Sequence, residues 1–296
     1  MNITSFTNQI VQLLQKELGD TYQISLRKVT KNNGVTLTGI VAKREDFNSF
    51  PTIYIDDYYD QDAGEEELLS ITRNMADRLR QADVNQTLDI DEFIDFSRAK
   101  HKISFKLINT DMNRKLLKDI PSRPFFNLSI VYYYLLEKDS FEGNASILIR
   151  NSHMDTWEVN EEEIYEAAYY NAPRLLPPML QSMDELLDGA FPGESFEDLI
   201  PMYVLTNREK LFGASCILYP DALKKFAQSV NSDLYVLPSS IHETILLPQN
   251  SELNPEAFLD IVTEINHSQV EEEEVLADSV YFYNKKEDAL YLLDNH

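Results

Sequence analysis

Glycine is scarce in this chain, with 8 in 296 residues. That leaves little for phosphate-cradling loops, and neither GxGxxG nor GxxxxGKS/T occurs, so nucleotide-dependent chemistry is not expected. The single cysteine, Cys216, excludes an intramolecular disulfide and a cysteine-based zinc site, and fits a reducing compartment. Cys216 itself lies in the apolar SCILY segment, where a buried core thiol is expected and not an activated one. No apolar run approaches the ~18 residues of a membrane span. The N-terminus also lacks a cationic patch followed by an unbroken apolar stretch, so no signal peptide is expected and the expected location is cytoplasmic. Positive charge is short as well. Against 50 Asp and Glu there are 26 Lys and Arg, a net charge of −24, which opposes direct contact with nucleic-acid phosphates or anionic lipid. Three readings of the acidity remain: solubility and self-repulsion, a basic protein partner, or a nucleic-acid mimic that blocks a basic groove.

What is present reads as a folded protein. Hydrophobic residues make up 43% and aromatics 11%, including 16 Tyr and 15 Phe, a globular composition and not a disordered one. The length allows two units, placed at 1–100 and 101–296. In the first, Ile3, Phe6, Ile10, Leu13, Leu14 and Leu18 recur at helical spacing. Tyr22, Ile24 and Leu26 then alternate with polar residues, and Asn33-Gly34 signals a two-residue type I′ turn into a second strand with Ile40 and Ala42. A strand at Thr52–Ile55 and a helix from about Gly64 to Arg80, with Leu68, Ile71, Met75 and Leu79 on one face, complete it.

After a polar stretch, Gln81–Asp91, a short helix is expected at Glu92–Ala99. A strand follows from His101, then a short helix at Asp111–Lys118. Central strands follow at Phe126–Leu136 and Ala145–Arg150, separated by the loop Glu137–Asn144 with Gly143. Asn160 caps a helix reaching Ala172, with Glu161–Glu163 in its first turn where the helix dipole favours negative charge. The last third repeats hairpin and helix. Met202–Thr206 and Ser215–Leu218 precede a helix at Asp221–Val230; Leu234–Leu237 and Thr244–Leu247 precede one at Pro255–Ile265; and Val280–Tyr283 pairs with Leu290–Leu293. The expected class is α+β, with antiparallel sheets built from hairpins and packed helices. The helix–strands–helix order of the first unit resembles Asp111–Ala172, which would fit an internal duplication.

The segments KNNG, PTIYIDDYY with the following Gly64, WEVNEEEIYEAAYYNAPRLLP, MYVLTNREKLFGASCILYP and DLYVLPSSIHETILLP resemble an uncharacterised bacterial family, domain of unknown function family 5688, over nearly the whole chain. The block Trp157–Pro177 and the hairpins after it also resemble a second uncharacterised bacterial family. Neither resemblance implies an activity, a cofactor or catalytic residues.

Candidate chemistry is sparse. Asp56–Glu67 has the length of a calcium loop, but Tyr58 and Gln61 stand where a ligand and a glycine belong, so a solvated strand-to-helix loop is expected. His153 and Asp155, with Trp157 beside them, could join His242, Glu243 and Arg208 in a polar pocket. If the pairs converged they could form a His/carboxylate metal site for a metal-assisted hydrolase. No HExxH or similar signature supports a metal, and no cofactor is expected. Ser239 and Ser240 near His242 suggest a nucleophile beside a base, yet there is no GxSxG elbow. The tyrosine clusters Tyr58-Tyr59, Tyr132–Tyr134 and Tyr169-Tyr170 would be half core, with the exposed remainder among carboxylates forming a protein-binding face. A sheet edge at the C-terminal hairpins offers a second contact route by strand addition. The expected function is therefore a non-catalytic adaptor, regulator or inhibitor. Its partner would be an unidentified, basic protein, with no nucleic acid or membrane contact.

Overall fold

The computed structural model describes residues 1–44, 52–85, 89–136, 145–183, 185, 201–238, 240–249, 263, 264, 266, 268 and 270–293. Glu137–Asn144, Ser239 and nearly all of Pro255–Ile265 lie outside that set, and with them the loop, one hydroxyl and the helix expected there. The fold is α+β, with antiparallel sheets of three, four and six strands. It divides into two compact units, Met1–Asp91 with Leu136–Ala145, and Glu92–Leu135 with Ser146–His296.

In the first unit the helical period produces helix α1 (Ile3–Leu18), whose buried face is Phe6, Ile10, Leu14 and Leu18. Asn2 caps it by accepting from the Ser5 amide at 2.9 Å. Strands β1 (Gln23–Thr30), β2 (Thr36–Lys43) and β3 (Thr52–Tyr54) form the sheet in that order. Helix α2 (Glu65–Asn85) adds Leu68, Met75 and Leu79 to a core shared with Ile40, Ala42 and Ile55, while Ile71 packs at its margin. Between β1 and β2, Asn33 and Gly34 both take positive φ, 58° and 74°. The loop is nevertheless longer than two residues. Thr30 pairs with Thr36, whereas a two-residue Asn33-Gly34 loop would pair it with Leu37, and a one-residue slip exchanges the faces of a strand. In the acidic loop, Asp56 Oδ2 accepts from the Thr38 amide at 2.6 Å and Asp60 Oδ1 from the Asp62 amide at 2.8 Å. These carboxylates brace the backbone.

The division between the two units falls within α3 (Ile90–Ile94), which is followed by α4 (Phe96–Ala99); the break is at Asp95, which caps α4. Strand β4 (Ile103–Asn109) follows. Where a helix was expected at Asp111–Lys118 there are turns and a single 3₁₀ turn, Leu116–Lys118. Asn109 bends the chain by accepting from the Met112 amide through its side chain and from the Asn113 side chain through its carbonyl. Strands β5 (Ser122–Phe125) and β6 (Leu128–Leu135) turn at Phe126, φ 53°, so the expected strand starts two residues late. Strand β7 (Ser146–Leu148) completes a sheet ordered β4-β6-β5, with β7 also on β6.

Helices α5 (Asn151–Trp157) and α6 (Glu161–Leu175) come next. Asn160 accepts from the Glu163 amide at 3.1 Å while Glu163 accepts from the Asn160 amide at 3.0 Å, a reciprocal capping box. The six-stranded sheet comprises β8 (Pro178–Ser182), β9 (Tyr203–Asn207), β10 (Leu234–Leu237), β11 (Thr244–Pro248), β12 (Tyr281–Asn284) and β13 (Ala289–Leu292), ordered β13-β12-β10-β11-β9-β8. Helix α7 (Ala222–Ser229) packs Phe226 against Tyr203, ring centroids 4.7 Å apart.

Ser215–Leu218 is not a strand: Gly213–Leu218 is 3₁₀ helix. Phe212 enters it at φ 52°, and Gly213 presses so close to β9 and His242 that a hairpin strand is replaced by a tight coil.

Candidate functional site

Helix α5 is held at its start by Asn151, whose amide donates to the Asp119 carbonyl and whose side chain donates to the Lys118 carbonyl. It stops at Glu158, φ 55°. This places Trp157 Nε1 2.8 Å from the Phe93 carbonyl, to which it donates, with its ring edge-on to Phe93 and tilted against Phe96. His153 lies in the same nest, 5.2 Å from the Phe93 ring, and its Nδ1 accepts from the Arg150 amide at 3.2 Å. Burial among these rings lowers the His153 pKa, with Arg150 adding to the effect. The lone pair a metal would need at Nδ1 is taken. Asp155 is exposed, two positions along the helix from His153.

His242 occupies a different corner. It precedes β11, stacked on Phe212 at 5.6 Å, with Nε2 3.3 Å from Glu274 Oε1. Nδ1 faces both the Phe212 amide (3.3 Å) and the Lys210 carbonyl (3.0 Å). Both ring nitrogens are therefore engaged. Glu243 and Arg208 are exposed on the flanks, with the Arg208 amide bonded to the Pro177 carbonyl. Ser240 Oγ accepts from the His242 amide at 3.0 Å, which makes it a turn brace.

The two histidines do not converge. His153 packs on Phe93, which packs on Tyr134 at 5.2 Å; His242 packs on Phe212, which packs on Tyr133 at 5.0 Å. Tyr133 and Tyr134 are consecutive in β6, and consecutive strand residues point to opposite faces of the sheet. The four-stranded sheet stands between the pairs. Among the described residues no group of three or more His, Cys, Asp or Glu is placed to hold a metal ion, and no helix is long and apolar enough to cross a membrane.

Two arrangements were not anticipated. Arg123 forks onto Glu161, Nη2 to Oε2 at 2.9 Å and Nε to Oε1 at 3.3 Å, and reaches Glu162 at 2.5 Å; the Tyr132 hydroxyl also donates to Glu161. Burial and the neighbouring Glu161 carboxylate push the Tyr132 phenol up in pKa, so it stays a donor. This network fastens the start of α6 to β5 and β6. The second is a groove of about 420 Å³ lined by Phe96, Lys100, His101, Glu163, Glu166 and Tyr170. Glu163, Glu166 and Tyr170 sit at i, i+3 and i+7 along α6, one helical face. Asn171, the residue after Tyr170, fixes the opposite wall by donating to the Lys100 carbonyl at 2.6 Å and the Ile103 carbonyl at 3.1 Å. The tyrosine expectation divides here. Tyr132, Tyr133 and Tyr134 are all buried, while Tyr170 is 60% exposed, with Arg174 lying 3.6 Å from its ring centroid. The helical spacing could have revealed the carboxylate and tyrosine wall; the other wall carries no local signal.

Searches among curated proteins and among solved structures found no match. Residues 3–285 match a family of unknown function, DUF5688, and the chain belongs to that family.

Proposed function

We propose that this is a cytoplasmic protein that works through protein contacts, as an adaptor, regulator or inhibitor without catalytic activity, and that the α4–α6 groove receives a basic side chain of its partner. The observation that carries this reading is Tyr170, a large ring left 60% exposed beside Glu166 in a concave site, where the Arg174 guanidinium already lies 3.6 Å from the ring centroid. An exposed aromatic ring beside a carboxylate attracts a Lys or Arg head by cation–π and charge-assisted hydrogen bonding.

The alternatives have less behind them. A metal-assisted hydrolase needs His153 and His242 in one site, and they pack on opposite faces of one sheet. A nucleic-acid mimic needs carboxylates free in a double row, whereas Glu161 and Glu162 bind Arg123, Glu163 caps α6 and Glu274 faces His242. The test is native purification of wild type beside the Glu166→Lys, Tyr170→Ala double variant. A stoichiometric, salt-sensitive partner that accompanies wild type and is lost from the variant is expected. Absence of any such partner, together with no self-association, overturns the contact reading; retention of the partner by the variant overturns the groove.

A further inference from the structure

The first unit carries a charge pattern that neither the α4–α6 groove nor the Arg123 network uses. From Thr21 to Arg44 the chain holds Arg27, Lys28, Lys31, Lys43 and Arg44 and no Asp or Glu, in a protein of net charge −24. This stretch is the β1–β2 hairpin with its flanks. The sheet order β1-β2-β3 leaves β1 with one neighbour among the described residues. Strand β1 runs for eight residues without a proline, and every second residue turns its N–H and C=O away from β2. Such an edge is a template for another strand.

The side chains along this edge define what it can accept. Leu26 is paired with Ile40, which is fully buried, so it lies on the core face, yet it is 43% exposed. The core stops short of it. Arg27 and Lys28 follow, both exposed, and leave the strand on opposite faces. Lys28 Nζ donates to Thr38 Oγ1 at 2.7 Å and keeps two N–H groups, while the Arg27 side chain has no partner among the described residues. Asp56 approaches the hairpin and accepts from the Thr38 amide at 2.6 Å. Surface charges act over ~8 Å at physiological ionic strength, so an incoming strand meets the local cations before the net charge of the chain. Arg27 and Lys28 oppose pairing with a second copy of β1, which brings the same charges, and favour a strand that carries carboxylates.

We infer that the free edge of β1 is a docking site for an extended acidic segment of a partner protein, which joins the three-stranded sheet as a fourth strand. In an antiparallel addition, residues directly opposite share a face. The segment therefore presents carboxylates opposite Lys28 and Arg27 and then an apolar side chain opposite Leu26, an acid–acid–apolar order from its N-terminal end. Main-chain bonds hold it, the cations select it, and its apolar residue covers Leu26. The site uses no residue of the α4–α6 groove, so either can fail alone.

The probe is a fluorescein-labelled peptide of sequence TEEVTVT, titrated with the full chain and followed by fluorescence anisotropy. Binding with a Kd below about 1 mM, weakened by salt, is expected, and Arg27→Glu together with Lys28→Glu should weaken it about tenfold or more. A second readout does not depend on how that variant folds. Two versions of the peptide, N-methylated on alternate sets of amides, should separate on wild type, one losing binding and the other keeping it, because only every second amide meets the edge. Absence of binding by TEEVTVT, or equal affinity of the two methylated versions, overturns strand addition. Undiminished binding by the charge-reversed variant overturns selection by Arg27 and Lys28. Tighter binding of an oligothymidylate or of phosphatidylserine vesicles assigns the surface to a phosphate-bearing partner and overturns the peptide.

Discussion

Replacing Gly213 by Ala should break the corner on which His242 rests. A Cβ there would stand 2.2 Å from Thr206 Oγ1, 2.5 Å from the His242 carbonyl oxygen and 2.9 Å from the Asn207 amide nitrogen. Two of those atoms are backbone and cannot rotate aside. The third makes the 2.7 Å hydrogen bond from Thr206 Oγ1 to the His242 carbonyl, a staple between the ends of β9 and β11. Overpacking costs ~1–3 kcal/mol and the lost staple ~1 kcal/mol, together about 2–4 kcal/mol. At roughly 2–4 °C per kcal/mol for a unit of this size, the melting temperature should fall by about 4–16 °C. Trp157 is the sole tryptophan and belongs to the same unit as Gly213, so its fluorescence during urea titration reports that unit. Gly39→Ala is the control, followed by calorimetric melting because Gly39 belongs to the other unit, which Trp157 does not report. Its Cβ would meet Thr52 Cγ2 at 2.5 Å, the free end of a side chain on an edge strand, and otherwise nothing closer than 3.5 Å. That change should cost about 1 kcal/mol or less. A Gly213→Ala protein within ~0.5 kcal/mol of wild type, or one less affected than Gly39→Ala, would refute the argument from close approach.

Asn160→Ala removes one half of the α6 capping box and should lower stability by about 1 kcal/mol, seen as a lower urea midpoint with an unchanged slope. Arg123→Met leaves Glu161 with only the Tyr132 hydroxyl as partner and should cost about 1–2 kcal/mol; adding Glu161→Gln should recover part of that loss, and strict additivity would show that the pair is not coupled. His153 has a lowered pKa in the folded protein, so in the window below the unfolded value of ~6.5 the unfolded chain binds more protons. Its contribution is therefore complete above that value and declines as pH falls through it toward the folded pKa. Denaturation curves between pH 7 and pH 5 should show this decline, His153→Gln should flatten it, and an equal slope in the variant would remove His153 as the cause. Trp157, with its ring 5.9 Å from His153, should be quenched as the imidazole charges, and fluorescence that ignores pH in this range would contradict that placement.

The sequence is most informative where local chemistry suffices. The period of Phe6, Ile10, Leu14 and Leu18, and the Asn160–Glu163 box, specify α1 and α6 without help from the rest of the chain. It is less informative where two backbones bury the same residues equally well. Ser-Cys-Ile-Leu at 215–218 is apolar enough for a strand or a coil, and periodicity over four residues cannot choose between them. The choice is made by Phe212 in the left-handed region and by the closeness of Gly213 to β9, a contact between segments. Asn33-Gly34 shows the same division on a smaller scale: its positive φ values follow from residue type, while the register depends on the whole loop.

The candidate site follows this logic. Each His/carboxylate pair is legible as a pair, but whether the pairs meet depends on which face of β6 each covering segment chooses, and adjacent tyrosines in one strand send them to opposite faces. The α6 groove lies between these extremes. Its Glu163, Glu166 and Tyr170 wall is written in the helical spacing, yet it becomes a concavity only because the Asn171 amide ties α6 to the carbonyls of Lys100 and Ile103, about seventy residues earlier in the chain. The amide spends both donors on backbone carbonyls, one of them in a buried bond, so this one side chain fixes the separation of the walls. The acidic and aromatic residues of this helix therefore line a concave surface at α6, whose two walls the Asn171 amide ties together.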